Sequence, residues 1–432
     1  MPAGYFPAAA LGWRLSAEPF MKGMEWIDDM KLRASWGIIG NQTGLSSDNQ
    51  FDVYVSDIEH SYPIAGENSS KSDSYILSRI GDRNARWEKN ITTNIGLDAT
   101  LFQNAVSLTI DLYKKKVSGL LVQNQAALTG GSYTQPYVNA GEMENKGMDI
   151  GLSKKGHIND FTYDVGVLFS TYKNKVTRVL DNPLAALLGG EEREGYVTRT
   201  AVGQPVSMFY GYQIEGFFNT QAEVDAYAST STSWLPPAVG RWKMRDVNGD
   251  NVVNALDRTI IGNPHPDFQT SFNLSIGYKK FDLNAMLFWN KGGDIYNQQR
   301  YVTDFNSFSQ NRSSRLLYES WTPELGNNAK LPKLDLLDSY SNQEVTSYYV
   351  EDASYVRFRT LQLGYSFFPK VGSKFKFDKV RLYVQGQNLF TISKFSGLDP
   401  DASLSGGDLS MGVVTSLAPT PRQILFGINV GF

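Results

Sequence analysis

One oxygen-rich stretch carries residue types at a spacing that suits metal chemistry. In RWKMRDVNGDNVVNALDRTIIGNP, residues 241–264, side-chain oxygens recur at the first, third, fifth and twelfth places of a twelve-residue run. Together with a backbone carbonyl at the seventh place, this is the pattern by which loops of this length bind Ca²⁺. The predicted ligands are Asp246, Asn248, Asp250, Val252 and Asp257.

Two departures weaken this calcium pattern. The sixth place, usually glycine because the turn is sharp, is Asn251, and the twelfth place is an aspartate, which is shorter than the usual bidentate glutamate. The alternative is a metal-free turn, in which the same side chains form Asx turns and Asp257 pairs with Arg258. Calcium is therefore a candidate cofactor, and the sequence leaves both interpretations open.

The rest of the sequence offers little for catalysis. There is no cysteine, and the three histidines, His60, His157 and His265, are far apart and have no partner at metal-ligand spacing. These absences argue against thiolate chemistry, zinc sites and hydrolytic triads, so we expect no enzyme. A net charge of −3 gives no overall field that would attract nucleic acid.

The elements that position these residues are predicted to be β-strands. Aromatic residues make up 13% of the chain, and apolar and polar residues alternate with a period of two in segments such as ITTNIGLDATL and ILFGINVGF. Such segments form strands with one apolar and one polar face. The predicted strands are 5–15, 29–39, 88–102, 105–119, 142–155, 161–175, 268–278, 281–292, 353–367, 378–391 and 421–432.

The connections between these strands separate into two kinds. Those after the first, third, fifth, seventh and ninth strands are short, and the others are long, at about 40–87, 120–141, 176–267, 293–352 and 392–420. Short turns at one end and long loops at the other are typical of outer-membrane barrels. The sequence therefore predicts an all-β, antiparallel transmembrane barrel whose inner face is polar.

Several segments together resemble the SusC/RagA type of TonB-linked outer-membrane proteins. They occur in the order of that family and span essentially residues 5–432. The segments are YFPAAALGWRL, NAGEMENKGMDIGLS, VGQPVSMFYGYQIEGFF, RDVNGDNVVNALDRTIIGNPHPDF, VEDASYVRFRTLQLGYSF, RLYVQGQNLFTISKFSGLDPD and GINVGF.

The resemblance implies that residues 1–432 are the C-terminal portion of a receptor barrel, with about eleven of twenty-two strands. The plug and the N-terminal half of the barrel are expected to be absent. It also implies a large extracellular loop at 176–267 that contains the segment 246–257. The expected location is the cell outer membrane, among its lipids.

The expected function is TonB-dependent import of oligosaccharides or peptides, which this chain alone would not perform. The implied partners are a SusD-like surface lipoprotein, and TonB–ExbB–ExbD through the missing plug. The alternative is a soluble or surface calcium-dependent carbohydrate-binding β protein. The ligand-binding residues stay unknown, because loop aromatics suit sugars and peptides equally. These aromatics are Tyr210, Tyr212, Trp234 and Tyr301.

Overall fold

The computed structural model describes residues 4–43, 49–57, 74–123, 136–179, 186–228, 236–305, 311–334, 344–367, 379–401, 407–415 and 419–431. Within these residues the chain is mainly β-structure. The strands are β1 (Ala8–Arg14), β2 (Ile27–Asn41), β3 (Val53–Ser56), β4 (Tyr75–Arg79), β5 (Glu88–Leu101), β6 (Val106–Gln123), β7 (Tyr137–Ile158), β8 (Phe161–Val179), β9 (Ala186–Glu192), β10 (Gly195–Ala201), β11 (Met208–Gly211), β12 (Ile214–Phe217), β13 (Trp242–Met244), β14 (Thr259–Gly262), β15 (Phe268–Tyr278), β16 (Phe281–Lys291), β17 (Asp294–Asn297), β18 (Val350–Asp352), β19 (Tyr355–Phe367), β20 (Lys379–Ser393), β21 (Val413–Val414) and β22 (Gln423–Gly431). The helices are α1 (Gln221–Ala228), α2 (Gln299–Thr303) and α3 (Arg315–Tyr318), and short 3₁₀ turns occupy Leu15–Ala17, Pro19–Met21, Ala255–Asp257, Gly326–Asn328 and Ser347–Tyr349.

Eleven long strands form one sheet, in the order β1-β2-β5-β6-β7-β8-β15-β16-β19-β20-β22. Every pairing in it is antiparallel and joins one of these eleven strands to the next of the eleven along the chain. The eleven predicted strands are confirmed and differ only at their ends. β8 continues to Val179, into the segment assigned from sequence to the next connection, because Val176 and Val179 are buried beneath that connection.

Cross-strand pairing separates the sheet into two faces. Leu97 pairs with Ile110, which pairs with Ile150, so these apolar side chains share one face. Asp111 pairs with Asp149 on the other face. We call these the outer and the inner face. The outer face leaves large apolar side chains exposed, as membrane-facing strands do. Examples are Ile95, Leu112, Leu152, Val165, Leu363, Leu382 and Ile428.

Aromatic side chains border the apolar band of the outer face at both ends. Near the short turns, the ring centroids of Phe281 and Tyr365 lie 4.9 Å apart. At the other end, Phe268 contacts both Phe169, at 5.5 Å, and Trp289, at 5.0 Å. Rings at these two levels match the aromatic girdles of transmembrane barrels.

The turns at one end of the sheet are tight. β7 and β8 are joined by Asn159 and Asp160, and β15 and β16 by Lys279 and Lys280. Asn159 and Lys279 adopt the left-handed conformation, with φ of 52° and 53°. Such turns match the twist of the paired strands, so they hold neighbouring strands in register. We call this the short-turn end and the opposite one the long-loop end.

The connections at the long-loop end carry eleven further strands within the described residues. They form small sheets, among them β14-β11-β10-β9 and β18-β17-β21. Three of the connections, 180–267, 292–354 and 394–422, share one hydrophobic core, the loop core. Its most deeply buried members are Val197, Phe209, Tyr296, Leu331, Val345 and Tyr349. These connections are therefore packed structure.

Candidate functional site

A cavity of about 850 Å³ lies against the inner face of β6, β7, β8 and β15. Twelve of the twenty residues that line it are polar, and all of these except Thr270 alternate with the apolar outer residues of the same strands. The polar lining residues are Ser107, Thr109, Asp111, Asp149, Ser153, Asp164, Ser170, Gln269, Thr270, Ser271, Asn273 and Ser275. Hydroxyl, amide and carboxylate groups can exchange hydrogen bonds with a polar solute, so this wall suits a hydrated ligand.

One row across this polar wall carries two apolar side chains, which flank a serine. Leu168 pairs with Ser271, which pairs with Phe288, and all three line the cavity. Leu168 is 57% exposed although it faces inward. The guanidinium of Arg359 lies 4.4 Å from the ring centroid of Phe288, in a cation–π contact. The row gives the wall an apolar surface that could contact the non-polar parts of a ligand.

Two ion pairs brace the inner wall across glycines. Arg33 on β2 reaches over Gly96 on β5 to Asp111 on β6, with a nitrogen–oxygen distance of 3.1 Å. A Cβ at Gly96 would lie 2.6 Å from Oδ1 of Asp111, so the ion pair requires glycine there. Arg381 on β20 pairs in the same way with Asp282 on β16, over Gly364 on β19. Each pair links strands that are not direct neighbours.

Another charge cluster anchors the last long connection to the wall. Arg357 on β19 is almost fully buried and pairs with Asp399 and with Asp401, the latter at 3.0 Å. Burial opposes ionisation of Asp399, but hydrogen bonds from Thr420, from the Asp401 amide and from Arg357 outweigh it and lower its pKa to about 2. The carboxylate therefore stays ionised at neutral pH and holds the connection in place.

The loop core contains a buried carboxyl group. Glu194 accepts hydrogen bonds from the Tyr296 hydroxyl at 2.8 Å and from Nε2 of Gln298 at 2.9 Å. Burial raises the pKa of Glu194. Burial, followed by the nearby carboxylate, also raises the pKa of Tyr296 far above its usual value. The two donors satisfy the buried carboxyl group and tie β17 to the end of β9.

The predicted calcium ligands lie together in one exposed loop, where they accept backbone hydrogen bonds. Asp246 accepts from the amides of Gly249 and Asn251, both at 2.7 Å. Asp250 accepts from the amide of Val252 at 2.7 Å, and Asn248 from the amide of Asp250 at 2.9 Å. Asn251, at the sixth place, has a φ of 63°. This is an Asx-turn arrangement.

Asp257 is the centre of this loop. Its side chain is fully buried and accepts from the amides of Val247 at 2.9 Å and Asn254 at 2.8 Å. Asn254 in turn caps the 3₁₀ turn Ala255–Asp257 in a capping box. The expected pairing of Asp257 with Arg258 is not the arrangement seen, because Arg258 donates to the carbonyls of Tyr196 and Tyr210.

Within the described ranges, no three carboxylate or imidazole groups converge as they would around a metal ion. Calcium binding by this loop stays a prediction. The hydrogen bonds define a test of the two interpretations, because they give Asp257 and Asp250 different roles.

We expect Asp257→Ala to destabilise the loop by about 1–3 kcal/mol, because two backbone donors lose a buried acceptor. Asp250→Ala, at an exposed position, should cost less than about 0.5 kcal/mol. Hydrogen exchange of the Val247 and Asn254 amides measures both effects. Calcium-dependent protection that either variant abolishes would establish a metal site, and protection that calcium and chelator leave unchanged would establish the metal-free turn.

The three loop aromatics within the described residues, Tyr210, Tyr212 and Tyr301, have different surroundings. Tyr212 is buried in the loop core. The guanidinium groups of Arg199 and Arg258 lie 4.9 Å and 5.4 Å from the ring centroid of Tyr210. Tyr301 packs against the loop core. Trp234 lies outside the described residues. The inner-wall row with Leu168 was missed from sequence because a single leucine among polar residues carries no signal of its own.

Comparison with known proteins shows the family to which the eleven-stranded sheet is similar. The family model described as TonB dependent receptor-like, beta-barrel matches residues 3–284, more than half of the chain. TonB-dependent receptor P3 of Formosa agariphila is 29% identical over 99% of this chain and 42% of its own length. TonB-dependent receptor SusC of Bacteroides thetaiotaomicron is 26% identical over 99% of this chain and 40% of its own length.

A solved structure with the same fold is described as the RagAB peptide transporter. It superposes with a TM-score of 0.77 at 22% identity and covers 99% of this chain and 43% of the solved chain. This chain thus spans less than half the length of these relatives. None of the helices in the described residues is both long and apolar enough to span a bilayer. The chain belongs to the TonB-dependent receptor family and forms part of its outer-membrane β-barrel.

Proposed function

We propose that this chain is the C-terminal portion of a receptor that imports oligosaccharides or peptides across the outer membrane. The observation that carries the proposal is the polar inner wall, with its cavity of about 850 Å³ and the apolar row of Leu168 and Phe288. A wall of this kind offers hydrogen bonds and limited apolar contact to a hydrated, flexible ligand. The packed connections at the long-loop end would form the extracellular entrance.

The proposed energy source and partners lie outside this chain. A plug supplied by the remainder of the receptor would close the lumen and contact TonB, which is energised through ExbB and ExbD. A SusD-like lipoprotein would dock on the long-loop end and deliver the ligand. The longest of the long connections in this chain is 180–267. We therefore expect this chain to contribute much of the docking surface.

The alternative of a soluble carbohydrate-binding protein accords poorly with the outer face. Leu112, Leu152 and Leu363 are 52%, 47% and 48% exposed there. Contiguous apolar exposure of this extent is unfavourable in water and favourable in hydrocarbon. The calcium loop, which was the main support for the alternative, satisfies its carboxylates with backbone amides.

The test is uptake of labelled oligosaccharides and peptides by cells that carry the complete receptor. We expect uptake to require TonB. Ser271→Trp, on the inner wall, should narrow the cavity and lower uptake on the order of tenfold, equivalent to about 1.4 kcal/mol. Phe272→Trp, the next residue on the outer face, is the matched control. Uptake that is independent of TonB, or equal in the two variants, would contradict the proposal.

A further inference from the structure

A basic patch lies on the outer face of β6, β7 and β8, beyond the long-loop end of the apolar band. We define it by six cations, with two carboxylates among them. The cations are Lys114, Lys116, Lys146, Lys173, Lys175 and Arg178, and the carboxylates are Glu142 and Glu144. The function proposed above makes no use of these residues.

Register and burial place these side chains on the outer face. Lys114 pairs with Lys146, which pairs with Lys173, in one row across the three strands. The residues that alternate with them on β8, Asn174 and Val176, are buried beneath the loops on the inner side. The lysines therefore project outward, in the same direction as Leu112 and Phe169 further along their strands.

The charges of the patch do not cancel. Glu144 pairs with Lys114 and Lys146, both at 2.7 Å, and Glu142 pairs with Lys116 at 2.8 Å. Glu142 also lies 3.7 Å from Arg178. Among the described residues of the patch, six cations against two carboxylates leave four positive charges. In the part of the chain that the structure describes, neither Lys173 nor Lys175 has a carboxylate within 4.0 Å, the ion-pair limit.

The lysine side chains of the patch are more exposed than its carboxylates. The paired carboxylates are only 21% and 22% exposed, whereas Lys114, Lys116 and Lys146 are 53%, 45% and 64% exposed. The lysines thus cover the carboxylates and present their ammonium groups to the surroundings. Their long aliphatic stems can lie along the apolar surface beside them.

On β6 and β7 the patch begins where the apolar band ends, and on β8 Thr171 separates the band from Lys173. On β6 the outer residue before Lys114 is Leu112, and on β7 the outer residue next to Lys146 is Met148. Elsewhere at this level the outer face carries apolar side chains such as Trp289 on β16 and Val356 on β19, and single lysines, Lys89 on β5 and Lys291 on β16, at strand ends. The positive charge is therefore densest on β6, β7 and β8, at the edge of the apolar band.

We propose that this patch binds phosphate groups of lipids in the leaflet at the long-loop end of the barrel. Cationic side chains on three strands about 4.8 Å apart offer several donors to one phosphate. Acyl chains of the same lipid would lie along the apolar band below. The occupant is a membrane lipid, because only a lipid uses both the cationic rows and the adjoining apolar surface.

The test compares lipid binding by the complete receptor in non-ionic detergent. Native mass spectrometry counts bound phosphatidic acid, with phosphatidylcholine of the same acyl chains as the zwitterionic reference. The variant is Lys173→Gln with Lys175→Gln. The control is Lys154→Gln with Lys155→Gln, which removes the same charge near the short-turn end of β7. Electrophoretic mobility without heating verifies that each barrel is folded.

We expect the patch variant to bind phosphatidic acid about thirtyfold more weakly, since each lysine near an anionic head group contributes about fivefold. The control should bind as the unaltered receptor does, and inorganic phosphate should not displace the lipid. Equal binding by variant and control, equal binding of the zwitterionic lipid, or displacement by inorganic phosphate would each overturn the proposal. If the double variant does not fold, Lys173→Gln alone should still show the fivefold loss.

Discussion

Cells that express only residues 1–432 are expected to show no energised uptake, whereas cells with the complete receptor take up the ligand. The physical reason is the two edges of the sheet, β1 and β22. Among the described residues each of these strands pairs with a single neighbour, and every residue of β1 is exposed. Backbone groups left unpaired in hydrocarbon cost several kcal/mol each, so an open sheet is unfavourable in a membrane.

Uptake of labelled ligand, measured from matched expression levels, tests this expectation. A receptor variant that is complete but lacks the TonB contact separates loss of energy coupling from loss of the barrel. Protection of the protein from protease in the membrane fraction measures its insertion into the membrane. Energised uptake by residues 1–432 alone would show that the gate and the TonB contact lie within this chain.

The second large effect concerns which face of the sheet contacts lipid. We expect Ile110→Arg to destabilise the barrel by about 2–4 kcal/mol, because Ile110 is in the middle of the outer apolar run of β6 and the charge would enter hydrocarbon. Thr109→Arg, one residue away, should cost much less, because Thr109 lines the inner cavity.

Urea-induced unfolding of the complete receptor in lipid vesicles measures both costs on the same strand. The two variants differ by one position, so strand propensity and added charge are matched, and only the face differs. Equal destabilisation would mean that the two faces have been assigned wrongly.

The strands of the barrel could be predicted because their pattern is local. Each strand repeats apolar and polar residues with a period of two, and each pairs with the next long strand in the chain. Even the sorting of short and long connections can be read from spacing alone. The end of β8 could not, because residues 176–179 were assigned to the following connection, and the burial of Val176 and Val179 depends on contacts with distant parts of the chain.

The long-loop end could not be predicted because its contacts join distant parts of the chain. Tyr296 pairs in parallel with Val413, and its hydroxyl donates to Glu194, which is 102 residues earlier. Strands of two to seven residues give too few repeats for a period to emerge. Nothing in the local sequence around Glu194 distinguishes it from a solvated surface carboxylate.

The oxygen-rich loop illustrates what spacing can and cannot predict. The spacing of Asp246, Asn248 and Asp250 predicts a turn rich in side-chain oxygens, and in the structure these oxygens accept hydrogen bonds from backbone amides. Spacing does not say whether those oxygens accept from amides or bind a cation, since both satisfy the same lone pairs. The burial of Asp257 depends on the surrounding connections, so it cannot be predicted from the spacing of the loop residues.

The loop core has a consequence for how receptors of this kind can diversify. Each long connection leaves and rejoins the sheet at adjacent strands, so topology alone would let evolution exchange one connection at a time. However, Phe209, Tyr349 and Val413 come from three different connections and fill the same core. Recombination that imported a single foreign connection would leave a cavity or a clash among the other two. The three connections are therefore expected to be inherited as one block, and new ligand ranges to arise by replacing that block whole.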